Sequence, residues 1–366
     1  MKRIKSMNAF TERGVSRRKF LAGTAVVAGA ASWPLILTPG KAKAAEQIVW
    51  ASYGGTYEEW LKKIYWDPFT AATGIKILTT TGAGDLAKLK AQVISGNRDW
   101  DGVEVLPTQV VTAAREGLCE PIDYGAVNTG NILYPNAKNE FWLSPYTYTG
   151  SIGYNAQRHP EGKHPRNWAE FWDVAKFPGR RGLRPRPLDT LEIALMADGV
   201  DPKKIYPLDV DRAFKSLNKI KPHINNWIEA TPQTVQLIIN NELDFTNTYA
   251  GRVLAAQQQG VPLGYASDQI MIFLSTYVVV KGTKQKPAMM KFLDWMMKPD
   301  LTAKLCEAQS YSPVTKQGMD ATPAEVRKKW VPDTSNPKHM VNDPLWWGEP
   351  GRIDELTKRF KEWQLL

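Results

Sequence analysis

From Gln47 onward the chain alternates short β-rich runs with amphipathic helical runs, and this alternation confines it to a narrow set of folds. Ile48 to Ser52 reads as a strand and Gly54-Gly55 as a tight turn. Tyr57, Trp60, Leu61, Ile64 and Tyr65 then recur at the three- and four-residue spacing of one helix face. Ile75 to Leu78 is a second strand, and Leu86, Leu89, Val93 and Ile94 mark a helix ending at Gly96. Gly102 to Leu106 is a third strand, followed by a helix carrying Val110, Val111 and Ala114 and stopped by Gly117. Such a series needs a mostly parallel sheet covered on both faces, because each connecting helix must bury its apolar stripe. Ligands gather at the carboxyl ends of the strands in sheets of this kind.

A second series follows Gly150. Asn167-Trp168-Ala169-Glu170 has the form of a capping box, and Thr231-Pro232 opens a helix bearing Val235, Ile238 and Ile239. Phe245 to Tyr249 is a strand ending near Gly251. Tyr277 to Val280 is a continuous apolar run, as expected of a buried parallel strand. Met289, Met290, Leu293, Met296 and Met297 keep helical spacing and read as core filler. The chain is therefore expected to form two lobes, 45–149 with 274–318 and 150–273 with 319–366, joined near Gly150 and Phe273.

The first 44 residues read differently. Ser16-Arg17-Arg18-Lys19-Phe20-Leu21 precedes an uncharged run from Phe20 to Leu37, and Ala42-Lys43-Ala44 has the small-x-small form of a cleavage site. This pattern is expected of a twin-arginine signal peptide and places the mature chain in the periplasm. The run also just reaches the length of a retained membrane span, although Pro34 interrupts it. Nine Lys/Arg and one acid, Glu12, fall within 1–44, a balance of +8 out of the chain's +10, so the remainder is near +2. The basic excess belongs to the leader, which removes the argument for a nucleic-acid partner.

Catalytic and metal-binding patterns are missing. The sequence holds no CxxC, HExxH, GxSxG or GxGxxG, and His159, His164, His223 and His339 are scattered without metal-site spacing. No cofactor and no enzymatic activity are expected. Cys119 and Cys306 each sit beside a Leu and read as small buried side chains, with a single bridge left open by an oxidising compartment.

In order and spacing, many segments resemble the extracellular solute-binding proteins of ABC importers, of the spermidine/putrescine type. They include Ser52-Tyr53-Gly54-Gly55-Thr56-Tyr57, Thr73-Gly74-Ile75, Glu116-Gly117-Leu118, Trp168-Ala169-Glu170-Phe171-Trp172-Asp173, Lys176-Phe177-Pro178-Gly179-Arg180-Arg181, Ala197-Asp198-Gly199-Val200-Asp201 and Tyr206-Pro207-Leu208-Asp209. The resemblance implies a type II, two-lobed α/β "Venus flytrap" that captures a small solute without chemistry and delivers it to a membrane permease. It probes no oligomer, and a monomer is expected.

A linear polyamine needs carboxylates for its ammonium groups and aromatic faces along its methylenes. In the family pattern acidic contacts follow the Phe-Pro-Gly loop, where Asp189 and Glu192 stand here; the alternative is a helix cap and its first-turn acid. Tyr249 occupies the place of an aromatic wall, Trp227 lies near a cleft-facing position, and Tyr53, Tyr57 and Tyr148 flank strand ends. Where relatives carry an Asp on the second crossover this chain has Thr276, followed by Tyr277, and a hydroxyl cannot neutralise an ammonium. That departure leaves room for a zwitterion such as γ-aminobutyrate, its carboxylate met by Arg252 or by the backbone around Gly55. A metal or oxyanion binder on the same fold and an exported enzyme are the remaining alternatives.

Overall fold

In the computed structural model the described residues are 46–330, 332 and 336–366. The twin-arginine stretch, the uncharged run and the cleavage site lie outside them. Twelve strands run through the described residues: β1 (Gln47–Ser52), β2 (Lys76–Thr81), β3 (Gly102–Val105), β4 (Tyr146–Asn155), β5 (Arg181–Leu183), β6 (Ile224–Trp227), β7 (Phe245–Tyr249), β8 (Leu263–Tyr265), β9 (Met271–Leu274), β10 (Thr276–Val279), β11 (Ser312–Pro313) and β12 (Met340–Val341).

Burial of Ile48 and Trp50 anchors β1 at the middle of the first sheet, parallel to β2 from Gln47↔Lys76 to Ser52↔Thr81 and parallel to β3. Its order is β10-β3-β1-β2. The close approach of Trp50 and Met289 requires glycine at 102: a Cβ there would lie 2.5 Å from Met289 Cε and 2.6 Å from the Trp50 ring. The helix after β1 is longer than its apolar face predicts. It runs Gly55–Leu61, widens into a π-helical turn over Lys62–Trp66, and continues over Asp67–Thr73 to the left-handed Gly74. Leu61, Ile64 and Tyr65 are buried, whereas Tyr57 and Trp60 are half-buried. Asp85 caps the next helix, Leu86–Ser95, by accepting from Lys88 N at 2.9 Å, and Gly96 ends it at φ 72°.

The second sheet has the order β12-β9-β4-β7-β5-β6, with β8 and β11 also pairing with β4. Its long strand β4 is antiparallel to β7, β8, β9 and β11, while β5 is parallel to both β6 and β7. Both sheets are thus mixed. The apolar run from Tyr277 is buried throughout, but β10 pairs antiparallel with β3, which corrects the expected parallel strand. The reason is its route: β10 enters the first sheet directly from β9 across Ser275, with no connecting helix to restore the direction. The chain enters the second sheet at Tyr146, four residues before Gly150 in sequence, and leaves it at Ser275.

Each sheet has its own apolar packing. The methionine-bearing helix Lys286–Met296 buries Met289, Met290, Leu293 and Met296 beside Trp50 and Phe69. On the other side the C-terminal helix Arg352–Leu365 drives Phe360 and Trp363 against Phe214 and Trp227, with ring centroids 5.2–6.1 Å apart. Cys119 and Cys306 are buried and unpaired, and burial pushes the Cys119 thiol up to about 12. Among the described residues no helix is long and apolar enough to cross a membrane. Phe360 is fully buried, so Phe360→Ala is expected to lower stability by roughly 3–5 kcal/mol in urea unfolding; a loss below 1 kcal/mol would mean that the C-terminal helix contributes little to this core.

Candidate functional site

The carboxyl ends of β1 and β3 face a cavity of about 610 Å³, lined also by residues of the second sheet and of the two crossing segments. This volume suits a small solute. Gly54 and Gly55, at φ 71° and 65°, turn the chain from β1 into its helix and leave their backbone on the cavity wall. Tyr53, Tyr57 and Trp60 line the same side. Tyr146, Tyr148, Leu274 and Ser275 come from the crossings, and Arg186, Tyr249 and Arg252 from the opposite wall.

The charge on the β3 side is Glu104, only 6% exposed. Its Oε2 accepts from Tyr57 OH at 2.5 Å, and its Oε1 accepts from Ser275 Oγ. Tyr57 OH also lies 2.5 Å from Tyr146 OH and 3.2 Å from Tyr277 OH, and Tyr146 and Tyr277 bond to each other. Burial pushes Glu104 up to about 7, with the Ser275 and Tyr57 hydroxyls pulling the other way. Burial likewise raises Tyr57, Tyr146 and Tyr277 well above the ordinary phenol range.

The opposite wall is cationic. Arg186 Nη2 donates to Asp189 Oδ2 at 2.5 Å and to Tyr249 OH at 2.6 Å, while Tyr249 OH donates to the same carboxylate oxygen at 2.8 Å. Asp189 reaches this position because helix Pro187–Ala197 breaks at Leu188 and Asp189, the latter at φ 71°. Burial disfavours the charged Arg186, but Asp189 and Tyr249 outweigh it and hold its pKa above the usual range. Arg184, just behind, donates to Thr231 Oγ1 at 2.9 Å and to Glu229 O at 2.7 Å. Arg252, in the first turn of helix Ala250–Gln258, is exposed and has no salt bridge among the described residues.

The residues expected from sequence separate into three groups. Tyr53, Gly55, Tyr57, Tyr148, Tyr249 and Arg252 line the cavity together. Asp189 lies behind it as the partner of Arg186. Glu192, Trp227, Thr276 and Tyr277 do not line it. Glu192 Oε1 accepts from Tyr206 OH at 2.7 Å and Trp347 Nε1 at 2.8 Å, tying its helix to the C-terminal segment. Trp227 packs on Phe360 and Trp363. Thr276 turns inward and donates from Oγ1 to Val105 O at 2.6 Å, and Tyr277 packs beneath Trp50 while bonding Tyr146. Glu104, Arg186 and Ser275 were not expected from sequence. The available signals were an acid inside the apolar run Gly102-Val103-Glu104-Val105 and two arginines alternating with prolines in Arg184-Pro185-Arg186-Pro187.

A cavity between two mixed sheets joined by crossing segments, walled by aromatic rings and by charges of both signs, is the arrangement of a solute trap. The model of the bacterial extracellular solute-binding proteins matches residues 65–330. The chain belongs to this family. The gamma-aminobutyric acid-binding protein of Pseudomonas aeruginosa is 30% identical over 325 residues, covering 87% of this chain and 91% of that protein. The spermidine/putrescine-binding periplasmic protein 1 of Haemophilus influenzae is 23% identical over 285 residues, 74% of this chain and 77% of that one. A solved GABA receptor superposes with a TM-score of 0.78 at 32% identity, covering 87% of this chain and 98% of that receptor. This family member is therefore a non-enzymatic substrate-binding component of an ABC importer, acting outside the cytoplasm, with the α/β periplasmic binding protein fold.

Two expectations follow from the buried carboxylates. Asp189→Ala leaves Arg186 without its counter-ion and should cost roughly 2–3 kcal/mol in urea unfolding, below the usual range for a buried pair because Arg186 is one-third exposed. An unchanged midpoint would show that the pair adds nothing to the fold. Burial raises Glu192 to about 7, with Tyr206 opposing. Between the ordinary carboxylate range and pH 7 the folded state then binds the extra proton, so stability falls as pH rises through that window. Glu192→Gln should flatten this fall, read as a smaller difference between urea midpoints at pH 5 and pH 8; an unchanged difference would assign the slope elsewhere.

Proposed function

We propose that the solute is an ω-amino acid of the γ-aminobutyrate kind, carried on its ammonium by Glu104 and on its carboxylate by Arg252 and Arg186. The observation that carries this reading is the balance of charge on the cavity wall: one carboxylate, Glu104, and two guanidiniums, Arg186 and Arg252. Asp189 adds no free negative charge, because Arg186 already holds it. A zwitterion matches such a wall end for end. A diamine or triamine would leave an ammonium facing arginine in a partly desolvated site, where like charges repel more strongly than in water. The half-buried rings of Tyr148 and Tyr249 and the exposed ring of Tyr53 suit a short methylene chain. Similarity to a γ-aminobutyrate-binding protein at higher identity than to a polyamine-binding one supports the same choice.

In this reading the lobes 45–149 with 274–318 and 150–273 with 319–366 close on the solute and present it to the permease. Residues 1–44 direct export through the twin-arginine route and are then removed. The polyamine and metal readings become arms of the test. γ-Aminobutyrate at about a hundred times its Kd should stabilise the protein by roughly 2.7 kcal/mol in a thermal-shift assay, whereas putrescine, spermidine and ferric citrate should leave the midpoint in place. Stabilisation by putrescine and none by γ-aminobutyrate would overturn the reading. Arg252→Gln should weaken γ-aminobutyrate binding by about 1.5–3 kcal/mol, the range for hydrogen bonds to charged groups, or roughly ten- to hundredfold in Kd. Calorimetric titration of both proteins checks it, and equal affinities would remove Arg252 from the site.

A further inference from the structure

We propose that capture of the solute is proton-linked: its ammonium displaces one proton that Glu104 carries in the free protein. This rests on the ω-amino-acid reading given above. The geometry around Glu104 is the argument. The carboxyl is nearly sealed from water at the end of β3, and its two oxygens are held by Tyr57 on the helix after β1 and by Ser275 on the crossing between β9 and β10. The other groups turned toward it are Tyr53, from the turn after β1, Tyr146 at the start of β4, Tyr277 on β10 and Tyr311 before β11. All of these are neutral alcohols or phenols. The nearest cations of the cavity, Arg186 and Arg252, act on Tyr53 and Tyr311 respectively, and neither forms a salt bridge with Glu104.

Glu104 thus has hydrogen-bond donors but no counter-ion. A carboxylate desolvated in this way gains by taking a proton; its pKa, raised by burial to about 7, agrees. An arriving ammonium supplies the missing positive charge. The neutral carboxylic acid then becomes a carboxylate paired with the ammonium, and the proton goes to solvent, so charge balances with one proton released for each solute bound. The solute's own ammonium and carboxylate keep their charges across this range. Affinity should therefore be level above pH 7 and fall by about tenfold for each pH unit below it.

Calorimetric titration of γ-aminobutyrate into the purified protein tests this in two buffers of different ionisation enthalpy. At pH 6 the wild type should release close to one proton per solute, and at pH 8 close to none. Glu104→Gln should bind more weakly, with an affinity independent of pH between 5.5 and 8 and no release. The wild-type proton count decides the matter even if that variant fails to fold. Binding at pH 6 without proton release overturns the proposal and leaves the ω-amino-acid reading standing. Release that persists in Glu104→Gln assigns the proton to another group and also overturns it. Absence of γ-aminobutyrate binding at every pH removes the ω-amino-acid reading, and the proposal falls with it.

Discussion

The antiparallel pairing of β4 with β9, from Thr147↔Leu274 to Gly150↔Met271, holds the two crossing segments side by side. Nearly everything about the cleft depends on this. Here the chain passes into the second sheet on β4 and back to the first after β9, and because both passages run as neighbouring strands of the second sheet their backbone groups are paired. This pairing also fixes which side chains face the gap. Tyr146 and Tyr148 from one passage and Leu274 and Ser275 from the other form the floor of the cavity, and the walls rise from strand ends on either side. A hydroxyl network through Tyr57, Tyr146, Tyr277 and Ser275 then ties this floor to Glu104.

The two walls solve opposite electrostatic problems. On one, a carboxyl is desolvated with only hydroxyl partners, so its neutral form is favoured. On the other, Arg186 stays charged because Asp189 and Tyr249 are built around it by a break in the helix backbone. A bent helix and a left-handed aspartate are costly features in isolation. Here they preorganise a guanidinium at the cavity edge, its orientation fixed before any solute enters.

Much of the fold was legible in sequence because helix and strand periods leave distinct apolar patterns. Phe245–Tyr249 and the helix ending at Gly96 are cases where the pattern and a stop signal agree. The direction of β10 was not legible, since an apolar run is the same read either way and only the route from β9 sets it. Aromatic wall residues were found because they flank strand ends. Glu192 and Trp227 were misplaced for a shared reason: their partners, Trp347 and Phe360, lie more than a hundred residues away, on a C-terminal segment whose docking leaves no local mark. Thr276 differs from Ser275 by one step along an extended chain, which sends the two side chains to opposite faces. The acidic group sought at that crossing is present after all, but β3 supplies it as the carboxyl of Glu104.

The two buried thiols bear on how motion in this molecule can be followed. Cys119 and Cys306 are shielded from reagents, and burial keeps both in the unreactive protonated form. Maleimide dyes therefore meet a silent background. A cysteine introduced at one exposed position on each wall would take label selectively, so distances between fluorophores can be read across the gap without first stripping the chain of its native sulfur.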